Sequence, residues 1–267
     1  MLHAVDVARG PDAPTRWVFV LHGIFGAGRN WRSVADALVE ARPDWGCVLV
    51  DLRLHGRSLG ASPPHTLEAC AADLGPLIET RGPEDLVLLG HSFGGKVALA
   101  ASLAAPGHLR QVWVIDASPS RLEGVGSARR VLDLVRRLPA SFPSRREAVH
   151  RLVEEGLEPA VASWLATNLE ERRAGWRWRF RPADMDALLE SFRETDLWRV
   201  VETPPGTAEV HLVRALRSGA LGRADLERAA RAARRTGRVR VHELDGGHWL
   251  NADNPMGLRD LLARLLP

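Results

Sequence analysis

Continuous apolar segments of strand length alternate with longer amphipathic stretches over the first half of this chain. The apolar runs lie at residues 17–21, 46–50, 86–89 and 112–115. A strand in the middle of a parallel sheet is covered by helices on both faces, so an unbroken apolar run predicts such a strand. The amphipathic stretches between the runs predict helices at about 31–41, 66–80 and 94–105. This alternation predicts an α/β protein with a doubly wound, mostly parallel sheet.

Two further strands are predicted in the last quarter of the chain. Residues 209–213 and 238–242 alternate polar with apolar side chains, which is typical of strands nearer the edge of a sheet. A helix at about 223–235 separates them, and a last helix follows Pro255. The sheet therefore continues in this part of the chain.

The middle of the chain has a different pattern. From about Pro119 to Pro205, amphipathic helical stretches are interrupted by prolines, and we expect no strand there. The simplest interpretation is a helical cap at residues 119–205, inserted between the two parts of one sheet domain, residues 1–118 and 206–267.

The composition fits a folded domain and argues against a nucleic-acid partner. Of the 267 residues, 45% are hydrophobic and 26% are charged, which is enough for a sizeable core. Lys96 is the only lysine, and the arginine pairs are scattered rather than gathered into one block with aromatic residues. No apolar run is long enough to span a membrane, and no signal peptide is visible at the start. We therefore expect a cytoplasmic protein, either a monomer or a homodimer.

The cysteines give no sign of a metal site or a disulfide framework. Cys47 lies in a predicted strand and Cys70 in a predicted helix, and there are no others. Both are interpreted as small apolar side chains of the core. No metal or other cofactor is expected.

The strongest local motif is Gly-His-Ser-Phe-Gly at residues 90–94, directly after a predicted strand and before a predicted helix. In such a sharp strand-to-helix turn, small residues prevent steric clashes and the serine is held in a strained conformation above the sheet edge. The N-terminus of the following helix favours an anionic intermediate at the same place. Ser92 is therefore the candidate nucleophile.

A serine nucleophile needs a base and an acid that orients the base. His248 is the candidate base, because it lies in a glycine-rich loop after the last predicted strand. Asp116 ends the strand after the helix that follows Ser92, and it is the favoured acid. Asp225 is the alternative, although it lies inside a predicted helix.

An acyl intermediate would also need an oxyanion hole formed by two backbone N–H groups. The residue after the nucleophile, Phe93, is expected to supply one of them. The second is expected from the loop at residues 22–26, where Ile24 is favoured and Phe25 is the alternative. Because this loop is rich in glycine, its backbone can approach a substrate closely.

Four segments together resemble the α/β-hydrolase superfamily, namely residues 22–26, 51–58, 90–96 and 247–249. The Asp-Leu-Arg-Leu-His-Gly-Arg-Ser and Gly-Gly-Lys elements resemble the branch that contains bacterial short-chain acyl esterases and mitochondrial abhydrolase-domain proteins. Three other segments resemble a plant and cyanobacterial subgroup of uncharacterised hydrolases, at residues 112–119, 195–198 and 248–255. The resemblance extends over nearly the full chain and is weaker in the predicted cap.

The resemblance implies an α/β-hydrolase fold and a serine hydrolase that cleaves carboxylic esters or thioesters of short to medium acyl chains. It implies no metal or cofactor, and it favours Asp116 as the acid. The segment 51–58 would have a structural role. Lys96 is expected to tie the helix after Ser92 to a neighbouring loop, or else to hold an anionic group such as a phosphate of a coenzyme A thioester.

The predicted cap would cover an apolar pocket for the acyl group. The candidate lining residues of this pocket are Trp176, Trp178 and Trp249, and the alternative for the tryptophans of the cluster at 176–180 is a place in the core of the cap. Two other functions stay open from the sequence. One is carbon–carbon bond hydrolysis or a lyase step on the same fold, and the other is ligand binding without catalysis.

Overall fold

A seven-stranded sheet lies at the centre of the protein, in a computed structural model that describes residues 1–10, 13–104, 107–124 and 126–267. The strands in these residues are β1 (Ala4–Val7), β2 (Arg16–Leu21), β3 (Gly46–Val50), β4 (Asp85–His91), β5 (Leu109–Ile115), β6 (Leu169–Arg172), β7 (Gly175–Trp178), β8 (Glu209–Ala215) and β9 (Val239–Leu244). The sheet has the order β1-β3-β2-β4-β5-β8-β9. Only β1 pairs antiparallel with its neighbour, so the sheet is mostly parallel, as predicted.

Helices follow most of the strands. In the same residues they are α1 (Arg32–Ala41), α2 (Leu67–Ala72), α3 (Gly75–Arg81), α4 (Phe93–Ser102), α5 (Ser127–Arg137), α6 (Arg145–Glu154), α7 (Pro159–Leu165), α8 (Pro182–Glu194), α9 (Trp198–Glu202), α10 (Arg223–Thr236), α11 (Leu250–Asp253) and α12 (Pro255–Leu265). Short 3₁₀ helices occupy Gly28–Trp31 and Ala166–Asn168. In the parts of the chain listed above, no helix is long and apolar enough to cross a bilayer.

The apolar strands are buried on both faces, which explains their unbroken hydrophobic sequence. On β2, Phe19 belongs to the core cluster on one side of the sheet and Val18 to the cluster on the other side. The parallel register between β4 and β5 pairs His91 with Ile115. The residues that follow these two strands, Ser92 and Asp116, therefore emerge side by side at the same edge of the sheet.

The structure differs from the sequence-based prediction at three places. Strand β1 was not predicted, and it pairs with β3 at the edge of the sheet. The single helix expected at about 66–80 is divided into α2 and α3, because Pro76 lies in the first turn of α3 and begins a new helix. The middle segment is not entirely helical, since β6 and β7 form an antiparallel hairpin there.

Candidate active site

Ser92 lies in the sharp turn between β4 and α4. Its backbone has φ 51° and ψ −115°, a conformation that is rare for a residue with a side chain. The glycines on either side are needed for steric reasons. A Cβ at Gly90 would overlap the carbonyl of Gly94, and a Cβ at Gly94 would overlap the carbonyl of Leu21. The local sequence therefore fixes Ser92 in a strained turn at the N-terminus of α4, which is the position predicted for it.

Asp116 and His248 are joined by a hydrogen bond, although they are far apart in the sequence. His248 Nδ1 lies 2.7 Å from Oδ2 of Asp116, and the Asp116 side chain is fully buried. Since the carboxylate accepts, Nδ1 is the donor, and Nε2 is the ring nitrogen that remains to act as a base. His248 and Ser92 line the same cavity. The structure thus brings the three predicted residues to one place.

The environment of Asp116 keeps its carboxylate ionised. Burial by itself would raise the pKa of Asp116, but hydrogen bonds from His248, Ser218 and the Ala215 N–H outweigh it, and the net pKa is lowered. An ionised carboxylate can orient the imidazole of His248 and stabilise its protonated form. Ser218 was not predicted from the sequence, because a serine in the loop after β8 has no sequence signal that connects it to Asp116.

Asp225, the alternative acid, is used elsewhere. Its Oδ1 accepts hydrogen bonds from the hydroxyls of Ser118 and Ser120, each at 2.9 Å. Its Oδ2 accepts the N–H of Gly222 at 3.2 Å, at the start of α10. Asp225 therefore braces the loop that follows Asp116, and the geometry favours Asp116 as the partner of the histidine.

The loop after β2 presents the N–H of Ile24 rather than that of Phe25. The Phe25 N–H donates to Nε2 of His55 at 3.1 Å. Among the hydrogen bonds of the described residues, none uses the N–H of Ile24 or of Phe93. Ile24 and Ser92 line the same cavity. This arrangement favours Ile24 and Phe93 as the pair of oxyanion donors and does not favour Phe25.

Two buried histidines hold that loop in place. His22 accepts the Leu52 N–H on Nε2 at 3.1 Å and donates from Nδ1 to the Gly23 carbonyl at 2.7 Å. His55 donates from Nδ1 to the Arg53 carbonyl at 2.8 Å. Burial lowers the pKa of His22 to about 4 and that of His55 to about 3, so both rings are neutral at pH 7. The segment 51–58 has the structural role that the resemblance implied.

His91, next to Ser92, supports the histidine loop, residues 245–249, which carries His248. Its Nε2 donates to the backbone carbonyl of His248 at 2.7 Å. Burial and then the proximity of His248 lower the pKa of His91 to about 3, which keeps it neutral. This role of His91 was not predicted from the sequence. Its position beside Ser92 was the available signal, but its contact with residue 248 depends on tertiary structure.

The buried histidines predict a loss of stability in mild acid. Folding lowers the pKa of His22, His55, His91 and His211 from 6.5 to between about 3 and 4, in each case chiefly by burial. Between these values the unfolded chain binds more protons than the folded one. The stabilising effect of the neutral rings is therefore complete above about pH 6.5 and decreases as the pH falls, by about 1.4 kcal/mol per pH unit for each histidine.

Urea unfolding at pH 7.5 and pH 5 measures this effect. We expect a lower midpoint at pH 5, and a smaller difference between the two pH values in the His211→Gln variant. His108 is exposed, so His108→Asn serves as the matched control and should leave the difference unchanged. Equal midpoints of the wild-type protein at the two pH values would contradict the prediction.

The cavity at Ser92 has a volume of about 310 Å³. Apolar side chains of the middle segment cover it, namely Ala128, Val131, Leu157, Val161 and Trp164. Trp249 also lines the cavity, as predicted. Such a mostly apolar space with a few polar groups is typical of a small-molecule site.

Trp176 and Trp178 do not line this cavity, so that part of the pocket prediction was wrong. Both lie on β7, in the hairpin of the middle segment. Trp176 exchanges backbone hydrogen bonds with Phe142 and lies under the guanidinium of Arg145 at 4.6 Å. The Trp178 ring packs against Phe142 and Phe180, with centroids 6.2 Å and 5.6 Å apart. Both indoles therefore stabilise the middle segment itself.

Lys96 is a structural tie and does not face the cavity. Its Nζ donates to the carbonyls of Ser120, Phe192 and Thr195 at 2.6, 2.8 and 2.7 Å. The side chain is fully buried, and burial lowers the pKa of Lys96 to about 8. All three protons of the ammonium group are used, so the hypothesis that Lys96 holds a substrate phosphate is wrong. It connects α4 to the loop after Asp116 and to the end of α8.

Comparison with known proteins identifies the family. A model of the alpha/beta hydrolase family matches residues 18–261. The chain therefore belongs to the α/β hydrolase family, and the resemblance seen in the sequence is confirmed.

Curated relatives and a solved structure share this fold. The chain is 33% identical over 192 residues to sn-1-specific diacylglycerol lipase ABHD11 of Danio rerio, covering 69% of this chain and 59% of that protein, which is less than two thirds of its length. It is 30% identical over 260 residues to lipase LipV of Mycobacterium tuberculosis, covering 92% and 91% of the two chains. A marine microorganism esterase superposes with a TM-score of 0.83 at 21% identity, covering 99% of both chains.

Proposed function

We propose that this protein is a serine hydrolase that cleaves carboxylic esters or thioesters of short to medium acyl chains through an acyl-enzyme on Ser92. The observation that carries the proposal is the 2.7 Å hydrogen bond between Asp116 and His248 at the cavity that Ser92 lines. An exposed serine is weakly nucleophilic unless a base removes its proton, and this pair supplies an oriented base.

In the proposed first step, Nε2 of His248 accepts the hydroxyl proton of Ser92 while Oγ attacks the carbonyl carbon. The negative charge that develops on the carbonyl oxygen is stabilised by the N–H groups of Ile24 and Phe93 and by the N-terminus of α4. The ionised Asp116 stabilises the imidazolium. His248 then donates its proton to the leaving alcohol or thiol, and the acyl-enzyme on Ser92 remains.

The second step repeats this chemistry with water. His248 accepts a proton from the water molecule as it attacks the acyl-enzyme, and the oxyanion again lies between the same two N–H groups. Collapse of the intermediate returns the proton from His248 to Ser92 Oγ and releases the acid. Both steps need His248 to stay in place, which is supported by the hydrogen bond that its ring donates to Asp116 and by the one that its backbone carbonyl accepts from His91.

The relatives support ester hydrolysis in general, since the two curated relatives compared above carry the name lipase. Carbon–carbon bond hydrolysis, a lyase step and binding without catalysis are the competing functions. No contact in the site favours any of them over ester hydrolysis, so they enter as outcomes of the test.

The test combines an active-site probe with a substrate panel. The purified protein is incubated with a fluorophosphonate, the labelled peptide is identified by mass spectrometry, and p-nitrophenyl esters from acetate to laurate are assayed in parallel. We expect one label on Ser92 and turnover that depends on acyl length. Labelling without turnover of any of these esters would point to a thioester substrate or to one of the other reactions. Absence of both would overturn the proposed function and favour a binding protein.

A further inference from the structure

A second space adjoins the Ser92 cavity on the far side of Trp249. This outer groove is defined by Ser33, Ala160, Ala252, Asp253 and Pro255, and it has a volume of about 470 Å³. Five further residues line both the groove and the cavity, namely Asn30, Val161, Trp164, Trp249 and Asn251. The two spaces therefore lie next to each other, with these five residues as their shared wall.

Two indoles form this shared wall. The rings of Trp164 and Trp249 lie 6.1 Å apart, centroid to centroid, so the middle segment meets the histidine loop at this point. Trp249 is 39% exposed, which is unusual for so large an apolar side chain. Asn251, which also lines both spaces, donates a hydrogen bond from its side chain to the Asn30 carbonyl at 3.0 Å and so holds the two residues together.

We propose that the outer groove binds the apolar alcohol portion of an uncharged ester, with the acyl portion in the cavity at Ser92. This inference rests on the proposed function and names the substrate class of the same site. In the tetrahedral intermediate the leaving oxygen must face His248, because that residue gives it a proton. The ring of Trp249 lies 5.8 Å from the ring of His248, so a leaving group on this side is directed along Trp249 towards the groove.

The charges around both spaces select against an anionic leaving group. No Lys or Arg occurs among the described residues that line either space, whereas Glu158 lines the cavity and Asp253 lines the groove. A coenzyme A thioester carries phosphates, which proteins bind with cations or helix N-termini. Six of the ten groove residues are apolar, including Val161, Trp164 and Trp249, and they suit a hydrocarbon chain.

Two matched ester series test the assignment of the groove. One series holds the acid as butyrate and lengthens the alcohol from methyl to octyl. The other holds the alcohol as methyl and lengthens the acid from butyrate to laurate. For the wild-type protein we expect kcat/KM to rise along the alcohol series by up to about fourfold for each methylene that is buried. Titration of the released acid gives the rates without a chromogenic leaving group.

Two variants then separate the spaces. Ala252 lines only the groove, and Ala128 lines only the cavity. Ala252→Trp should lower the octyl-to-methyl ratio of kcat/KM by about tenfold while the laurate-to-butyrate ratio keeps its wild-type value. Ala128→Trp should lower the laurate-to-butyrate ratio by about tenfold and leave the octyl-to-methyl ratio at its wild-type value. Ser33→Trp, on the other side of the groove, is the second variant if Ala252→Trp does not fold.

Failure of this inference is distinguishable from failure of the proposed function. If the wild-type protein hydrolyses esters but Ala252→Trp changes both ratios equally, or changes neither, the groove does not bind the alcohol. If the wild-type protein hydrolyses no ester at all, the proposed function itself fails.

A comparison of two thioesters tests whether the site prefers an uncharged leaving group to an anionic one. Octanoyl pantetheine and octanoyl coenzyme A have the same acyl group, the same thioester bond and the same pantetheine arm, and only coenzyme A carries the charged phosphates of its nucleotide. We expect kcat/KM to be at least about tenfold higher for the uncharged thioester. An equal or higher value for the coenzyme A thioester would overturn this part of the inference.

Discussion

Replacing Ser92 by alanine is expected to lower kcat for ester hydrolysis by about a million-fold, to a residual rate that reflects only binding and the oxyanion donors. Without Oγ no acyl-enzyme can form, and His248 and Asp116 lose the group on which they act together. The fold should persist, because alanine is small enough for the turn at φ 51° and the backbone N–H of residue 92 keeps its bond to the Ile115 carbonyl at 3.0 Å. Steady-state kinetics measure the loss of turnover, and mass analysis after treatment with a fluorophosphonate measures the loss of labelling.

Ser102 provides the matched control for this variant. It lies at the other end of α4, and its buried hydroxyl donates to the Leu99 carbonyl at 2.7 Å. Ser102→Ala removes a serine hydroxyl from the same helix without touching the cavity, so activity and labelling should stay within about twofold of the wild-type values. Turnover that survived in Ser92→Ala at a comparable level would assign the nucleophile to another residue.

The central sheet could be predicted because its strands have an unambiguous pattern. Residues 17–21 of β2 and 112–115 of β5 are apolar without interruption, which is typical of strands covered on both faces. β1 gives no such signal, since it has four residues and two of them are exposed. The hairpin of β6 and β7 is rich in Glu and Arg. Its backbone pairs with Phe142, a contact that no local sequence pattern reveals.

The candidate site was predicted unevenly for a similar reason. Ser92, His248 and Asp116 each follow a strand, so the topology alone places them at one edge of the sheet. The choice between Ile24 and Phe25 depends on His55, whose ring accepts the Phe25 N–H from a separate loop. Such a bond is a property of two loops in space, and residue spacing along the chain does not determine it.

The pocket residues were the least predictable part of the site. The three predicted tryptophans have the same side-chain chemistry, which does not distinguish them as lining residues. Only Trp249 is adjacent in sequence to another residue that lines the cavity. Trp176 and Trp178 lie on a hairpin whose position was unknown from the sequence. Most of the residues that cover the cavity come from α5 and α7, and several are ordinary aliphatic side chains such as Val131 and Val161. Amphipathic helices contain many such residues, and the sequence does not show which of them face a cavity.

The second large effect concerns the acid. Asp116→Asn should lower kcat by about ten thousand-fold, because an amide does not stabilise the imidazolium and its NH₂ group favours the tautomer with the proton on Nε2 of His248. The substitution is nearly isosteric, and the amide oxygen can still accept the Ala215 N–H that now lies 3.1 Å from Oδ1. The variant should therefore fold, and a kcat measurement across the pH range reports on the histidine rather than on unfolding.

Asp225→Asn is the control that separates the two carboxylates. Asp225 accepts the hydroxyls of Ser118 and Ser120, so the change should weaken the brace on the loop after Asp116 and lower the unfolding midpoint, with kcat reduced by no more than about tenfold. If Asp225→Asn had the ten-thousand-fold effect and Asp116→Asn a small one, Asp225 would be the acid that acts with His248, and Asp116 would have only a structural role. The prediction follows from geometry: His248 Nδ1 has Asp116 Oδ2 at 2.7 Å, whereas the oxygens of Asp225 are used by Ser118, Ser120 and Gly222.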